Sequence, residues 1–113
     1  MIWNKFTQEE QLTKIIADSY AIPQLIFKHS TRCSISSMAL SRFERQWDID
    51  SNLVTPFYLD LLAFRKISNA VAEKFNIMHE SPQVLLIRNG ECTYDTSHNA
   101  INVKDFNELL TIV

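Results

Sequence analysis

The stretch that most limits how this chain can fold runs from Leu25 to Trp47. Leu25-Ile26-Phe27 is an unbroken apolar run. It turns polar at Lys28-His29, passes Ser30-Thr31-Arg32 and reaches Cys33. Beyond the cysteine, Ile35, Met38, Ala39, Phe43 and Trp47 recur at helical spacing, the pattern of one buried stripe. The spacing predicts a strand over Gln24–His29 feeding a helix over about 34–48. An apolar run without alternation marks a strand buried on both faces, at the centre of a sheet packed by helices. The rest of the chain must supply those helices.

Cys33 falls in the first turn of the expected helix. The unpaired N–H groups there and the positive end of the helix dipole favour thiolate over thiol. Arg32 and Lys28 add positive charge in the sequence nearby. The thiolate is the reactive form, which makes Cys33 the candidate nucleophile.

The flanking segments complete an α/β pattern. Thr7 and Glu10 have capping-box spacing ahead of Leu12, Ile15 and Ile16, which predicts a helix over about 8–19. Pro23 ends it, because proline disfavours helix at the residue before it. A turn cluster at 48–52 precedes Pro56 and an apolar run over 57–61, a strand in which proline is tolerated only at its first residue or on an edge. Ile67, Ala70, Val71 and Phe75 give a helix over 66–75, with Asn76 as a left-handed cap. Gln83–Arg88 reads as a third strand. Asn89-Gly90 is a hairpin turn, so residues 91–96 return antiparallel. The last helix spans 103–113, with Phe106, Leu109, Leu110 and Val113 on one face and Asn102 and Asp105 at its start. The expectation is a single domain over 1–113 with a mixed four-stranded sheet and helices on both faces.

Composition closes off several functions. The 113 residues carry a formal net charge of −2, and no basic stripe suits nucleic acid. One glycine rules out a glycine-rich phosphate loop. No apolar run approaches the roughly 20 residues of a membrane span, and the first residues lack the apolar region of a signal peptide. A cytoplasmic protein without nucleic-acid or membrane partners is expected. Two cysteines fall short of a zinc tetrad, and no CxxC or HExxH spacing is present. His79, Glu80 and His98 fit no standard metal spacing with Cys33, so no metal is expected.

Two further motifs join the cysteine loop. Lys28-His29-Ser30-Thr31-Arg32-Cys33-Ser34-Ile35-Ser36, His79-Glu80-Ser81-Pro82-Gln83 and Asn89-Gly90-Glu91, in this order, resemble the monothiol bacilliredoxins of bacillithiol-using bacteria, within the thioredoxin fold. The resemblance covers nearly the whole chain. It implies a thioredoxin-like fold with Cys33 as nucleophile. Ser36 stands where dithiol relatives keep a resolving cysteine, and Ser34 where many members carry proline. The implied reaction is removal of bacillithiol from S-bacillithiolated proteins, with bacillithiol as co-substrate and no tightly bound cofactor. Another low-molecular-weight thiol then regenerates Cys33. Pro82 is implied to be cis, although only about 5–6% of such bonds are cis in folded proteins. Ser81 and Pro82 are implied to pair with the backbone of an extended substrate.

The same residues have other readings. Ser36 can offer its hydroxyl and its N–H to the thiolate, or be an ordinary first-turn serine. Arg32 and Lys28 can hold the carboxylates of a malate-bearing thiol such as bacillithiol, or be solvated cations. Asp60 is a carboxylate under the cysteine or a solvated strand residue. His29 is a packed strand-end residue or a proton carrier. Cys92 is a buried thiol, unless its α-carbon comes within about 7 Å of that of Cys33 and makes it the resolving cysteine. The alternative function is a binding module, including a carrier of an iron–sulfur cluster. Against the latter, Ser34-Ile35 replaces the glycine-phenylalanine pair of cluster-binding monothiol glutaredoxins.

Overall fold

Gln24–His29 forms the middle strand, and all six of its residues are buried. The computed structural model describes residues 1–111. Its elements are β1 (Asn4–Lys5), α1 (Gln11–Asp18), β2 (Gln24–His29), α2 (Ser34–Gln46), β3 (Thr55–Asp60), α3 (Arg65–Phe75), β4 (Gln83–Arg88), β5 (Glu91–Ser97), a short 3-10 turn (His98–Ala100) and α4 (Val103–Thr111). The sheet order is β1-β3-β2-β4-β5. β2 runs parallel to β3 and antiparallel to β4.

Alternation along β2 and β4 divides the core in two. Leu25, Phe27, Val84 and Leu86 pack with Ala39 and Phe43 of α2 and Phe106 and Leu110 of α4. Ile26, Leu85 and Ile87 pack with Ile15 of α1 and Ile67 and Val71 of α3. The two helix pairs therefore cover opposite faces. Phe43 sits 5.4 Å from the Phe27 ring and 5.9 Å from the Phe106 ring. Burial of such a ring contributes about 1.5–3 kcal/mol, which locks α2 to β2.

The sheet has five strands where four were expected. β1 is only two exposed residues, too short and too polar to carry a pattern. It pairs with β3 through Asn4↔Phe57 and Lys5↔Tyr58. That register leaves Pro56 beyond the end of β1, where its missing N–H costs no ladder bond. The first helix starts at Gln11 rather than near 8. The Gln11 side chain accepts from the Thr7 and Gln8 N–H groups, each at 2.8 Å, in place of the expected Thr7–Glu10 box.

The α2 stripe also differs. Its buried residues are Ser36, Ala39 and Phe43, whereas Ile35 and Met38 are 56% and 67% exposed. Those two lie one position around the helix from the face that meets β2. Local chemistry elsewhere follows expectation. Asn76 ends α3 at φ 52°, and the hairpin turn has Asn89 at 52° and Gly90 at 80°. A Cβ on Gly90 would stand 2.6 Å from the Tyr20 hydroxyl oxygen. The Asp105 N–H donates to Asn102 Oδ1 at 2.9 Å at the start of α4. Val113, assigned to the same apolar face, lies outside the described residues. Among the described residues no helix is long and apolar enough to cross a membrane.

Candidate functional site

One end of the sheet gathers the chemistry-bearing residues. β2 and β3 both finish there, with His29 opposite Asp60. β4 begins there, with Gln83 opposite Lys28. The carboxyl ends of parallel strands, where the helix N-termini also point, are where α/β folds place ligands.

Cys33 leaves this end as the N-cap of α2, with extended backbone at φ −109° and ψ 120°. Its carbonyl accepts from the Ser37 N–H at 3.0 Å, and its own N–H donates to the Ser30 carbonyl at 3.2 Å. The thiol is free and half-buried. The N–H groups of Ser34, Ile35 and Ser36 precede the first intrahelical bond and lack that partner. None of them donates to the Cys33 side chain, which makes no capping hydrogen bond here. Ser34, like Arg32, is exposed.

Ser36 is fully buried, and its hydroxyl serves a different purpose from the one expected. Its oxygen accepts from the Ser30 N–H at 3.0 Å and lies 2.7 Å from His29 Nδ1. The hydroxyl therefore ties the loop before Cys33 to the first turn of α2. His29 is 5% exposed and beside the Tyr58 ring at 5.8 Å. Burial lowers its pKa, against the pull of the Asp60 and Glu44 carboxylates, so the imidazole is neutral at pH 7.

Lys28 corrects a second expectation. It is fully buried on the face away from α2, one residue out of phase with Phe27. Its Nζ donates to the Ser68 carbonyl at 3.1 Å and lies 3.4 Å from His79 Nδ1. Burial pushes its pKa down to about 8. It cannot meet a ligand beside Cys33, and Arg32 alone of the two cations remains available. Burial and the Lys28 charge also lower the His79 pKa. Asp60 is half-buried at the end of β3. Its Oδ1 accepts from the Leu62 and Ala63 N–H groups at 3.1 and 3.3 Å, capping the turn into α3.

Ser81 and Pro82 precede β4, across from the end of β2, and their peptide bond is cis. The Gln83 side chain braces this loop, donating to the Met78 carbonyl at 3.0 Å and accepting from the Glu80 N–H at 3.3 Å. The Pro82 carbonyl accepts from the His98 N–H at 3.1 Å. His98 Nε2 stands 3.5 Å from Glu80 Oε2, while His79 faces Lys28 instead.

Cys92 belongs to the opposite end. It pairs with Ile87, which pairs with Gln24 at the start of β2. Five residues of strand, about 16 Å at 3.3 Å each, separate that level from His29. This far exceeds the roughly 7 Å a disulfide spans, so Cys92 does not resolve Cys33 in this fold. Burial, and then the Asp95 charge, push its thiol up to about 11.

A family model described as monothiol bacilliredoxin BrxC matches residues 4–106. The chain belongs to the monothiol bacilliredoxin family. Among solved structures, it is similar to one whose description proposes an oxidoreductase with a thioredoxin fold. That match has 29% identity and a TM-score of 0.74, and covers 92% of this chain and 89% of the other. It is also similar to a thioredoxin from Malassezia sympodialis, with 14% identity, a TM-score of 0.72 and coverage of 97% and 89%. A third match is the Trxlp protein of Edwardsiella tarda, at 15%, 0.65, 96% and 98%. The last two show the fold alone. Family and fold together make this a redox protein of the thioredoxin type.

The structure thus brings Cys33, Arg32, Ser34 and Ser36 to one helix start and sets Ser81 and Pro82 at the same end of the sheet. It adds residues that periodicity could not reveal. A cleft of about 450 Å³ opens beside the cysteine loop, lined by Thr31, Arg32, Asp60, Leu62, Ala63 and Arg65. Arg65 and Lys66 open α3, whose first turn has no acidic residue. That inversion of the usual charge preference at a helix start is the signal available in the sequence.

Proposed function

We propose that this protein is a cytoplasmic monothiol bacilliredoxin that removes bacillithiol from S-bacillithiolated proteins. One observation carries the reading: Cys33 caps α2 as a free, accessible thiol, with no second thiol in reach. Its thiolate attacks the bacillithiol sulfur of the mixed disulfide. A new S–S bond joins Cys33 to bacillithiol, and the substrate cysteine leaves as thiolate and takes a proton. A second low-molecular-weight thiol, bacillithiol itself, then attacks the adduct. Cys33 returns as thiolate, and the two small thiols leave as a symmetrical disulfide carrying the two electrons' worth of oxidation. No tightly bound cofactor enters.

The supporting parts have separate tasks. The N–H groups of Ser34 and Ser36 stabilise negative charge on the sulfur. Arg32 attracts an anionic thiol. Ser81 and Pro82 offer backbone to the substrate chain. The test uses a bacillithiolated protein followed by intact mass. Wild type should release the adduct and carry it transiently on Cys33, and Cys33→Ser should be inert. Release by Cys33→Ser at the wild-type rate would refute the assignment.

A further inference from the structure

We infer that the cleft between the Thr31–Arg32 loop and the start of α3 seats the carboxylates of the small thiol, with Arg65 and Arg32 as its anchors. This rests on the thiol-transfer reading and adds to it the residue that selects for an anionic small thiol. The position is decided by topology. β3 and β4 flank β2 on opposite sides. Cys33 follows β2, so it has the Ser81–Pro82 loop on the β4 side and the Arg32–Arg65 cleft on the β3 side. A mixed disulfide reaching Cys33 has two halves, and the two sides differ in chemistry. The β4 side offers backbone. The β3 side offers charge.

The cleft's charge is net positive. It holds two guanidinium groups and one carboxylate. The carboxylate, Asp60, is occupied by the Leu62 and Ala63 N–H groups. Among the described residues neither Arg32 nor Arg65 has an ion-pair partner. By contrast, Arg42 is held by the Ile101 carbonyl and Arg45 by Ser41. The volume of about 450 Å³ falls in the range of small-ligand sites. A guanidinium presents paired donors that match a carboxylate, and two of them suit the two carboxylates of a malate group. Arg65 also breaks the local rule that favours acids at a helix start, as residues retained for a site commonly do.

The test compares one protein thiolated with bacillithiol and the same protein thiolated with 2-mercaptoethanol, which carries no charge. Arg65→Gln should lower the ratio of kcat/KM for the first over the second by roughly tenfold or more, through KM, as loss of a charge-assisted hydrogen bond does. Arg65→Lys should recover part of it. An unchanged ratio overturns the inference. A second measurement is independent of turnover: titration of Cys33→Ser with malate, read on the arginine Nε–H signals. Saturable shifts at Arg32 and Arg65, reduced in the Arg65→Gln background, support the site, and their absence overturns it. If wild type transfers neither adduct, the thiol-transfer reading falls while the malate titration still decides the cleft.

Discussion

Replacing Lys28 with methionine should stabilise the protein at neutral pH. Lys28 is fully buried, and its pKa falls from 10.5 to about 8 because burial penalises the charged form. At 1.36 kcal/mol per pKa unit, that gap means the fold carries a penalty of about 3 kcal/mol wherever both states are protonated. The variant also loses the bond to the Ser68 carbonyl, worth about 1–1.5 kcal/mol. Methionine fills a similar volume without a charge. The net gain at pH 7 is therefore about 2 kcal/mol. The pH dependence gives the sharper check. Between pH 8 and 10.5 the unfolded chain keeps a proton that the folded chain has released. Stability then rises with pH. The wild-type penalty should shrink to about 1 kcal/mol by pH 10, so the advantage of the variant should vanish there. Urea unfolding at pH 7 and pH 10 measures both. Cys92 and Tyr58 titrate alike in the two proteins and cancel in the difference. A variant destabilised at pH 7, or a difference independent of pH, would refute the reasoning.

Three further outcomes follow from the geometry. Ser36→Ala strands the Ser30 N–H and the His29 ring nitrogen and should cost about 1–3 kcal/mol by urea midpoint, against less than about 0.5 for Ser34→Ala on the surface; equal effects would show that the Ser36 hydroxyl ties nothing. His29 and His79 both have lowered pKa values, so the unfolded chain binds their protons first and stability should fall as pH drops below 6.5; His29→Gln should reduce that slope and leave the share of His79. Iodoacetamide at pH 7 should modify Cys33 and spare Cys92, whose thiol is pushed up to about 11; peptide mass mapping that finds Cys92 labelled as fast as Cys33 would contradict its burial.

The exchange between the two kinds of information is clearest at α2. Its start at Ser34, with Cys33 beside that start, was legible, because a strand run, a polar loop and a helical stripe are local patterns; that Cys33 is the extended cap rather than part of the first turn was not. Also legible were the Asn89-Gly90 turn and the Asn76 cap, where only a few residue types accept a positive φ. Which of two adjacent stripes on α2 faces β2 was not legible. Ile35 and Met38 are as apolar as Ala39, and only the docking angle of the helix exposes them. β1 was equally hidden, since two polar residues become a strand only when β3 offers its edge.

Charge followed the same division. The sequence by itself determined the order of elements from α1 to α4, the candidate nucleophile at a helix start, the Ser81-Pro82 element before a strand and the family these imply, because each is written in residues close together in the chain. Tertiary structure decided what each charged or polar group meets. It put Lys28 on the α3 face beside His79, turned the Ser36 hydroxyl to His29, put Cys92 at the far end, and brought Arg32 and Arg65, 33 positions apart, into one cleft. The side of a strand on which a residue emerges flips with every position, and a partner from another element has no local signature. That is why neighbours in sequence singled out the candidate sulfur, while its surroundings needed the fold.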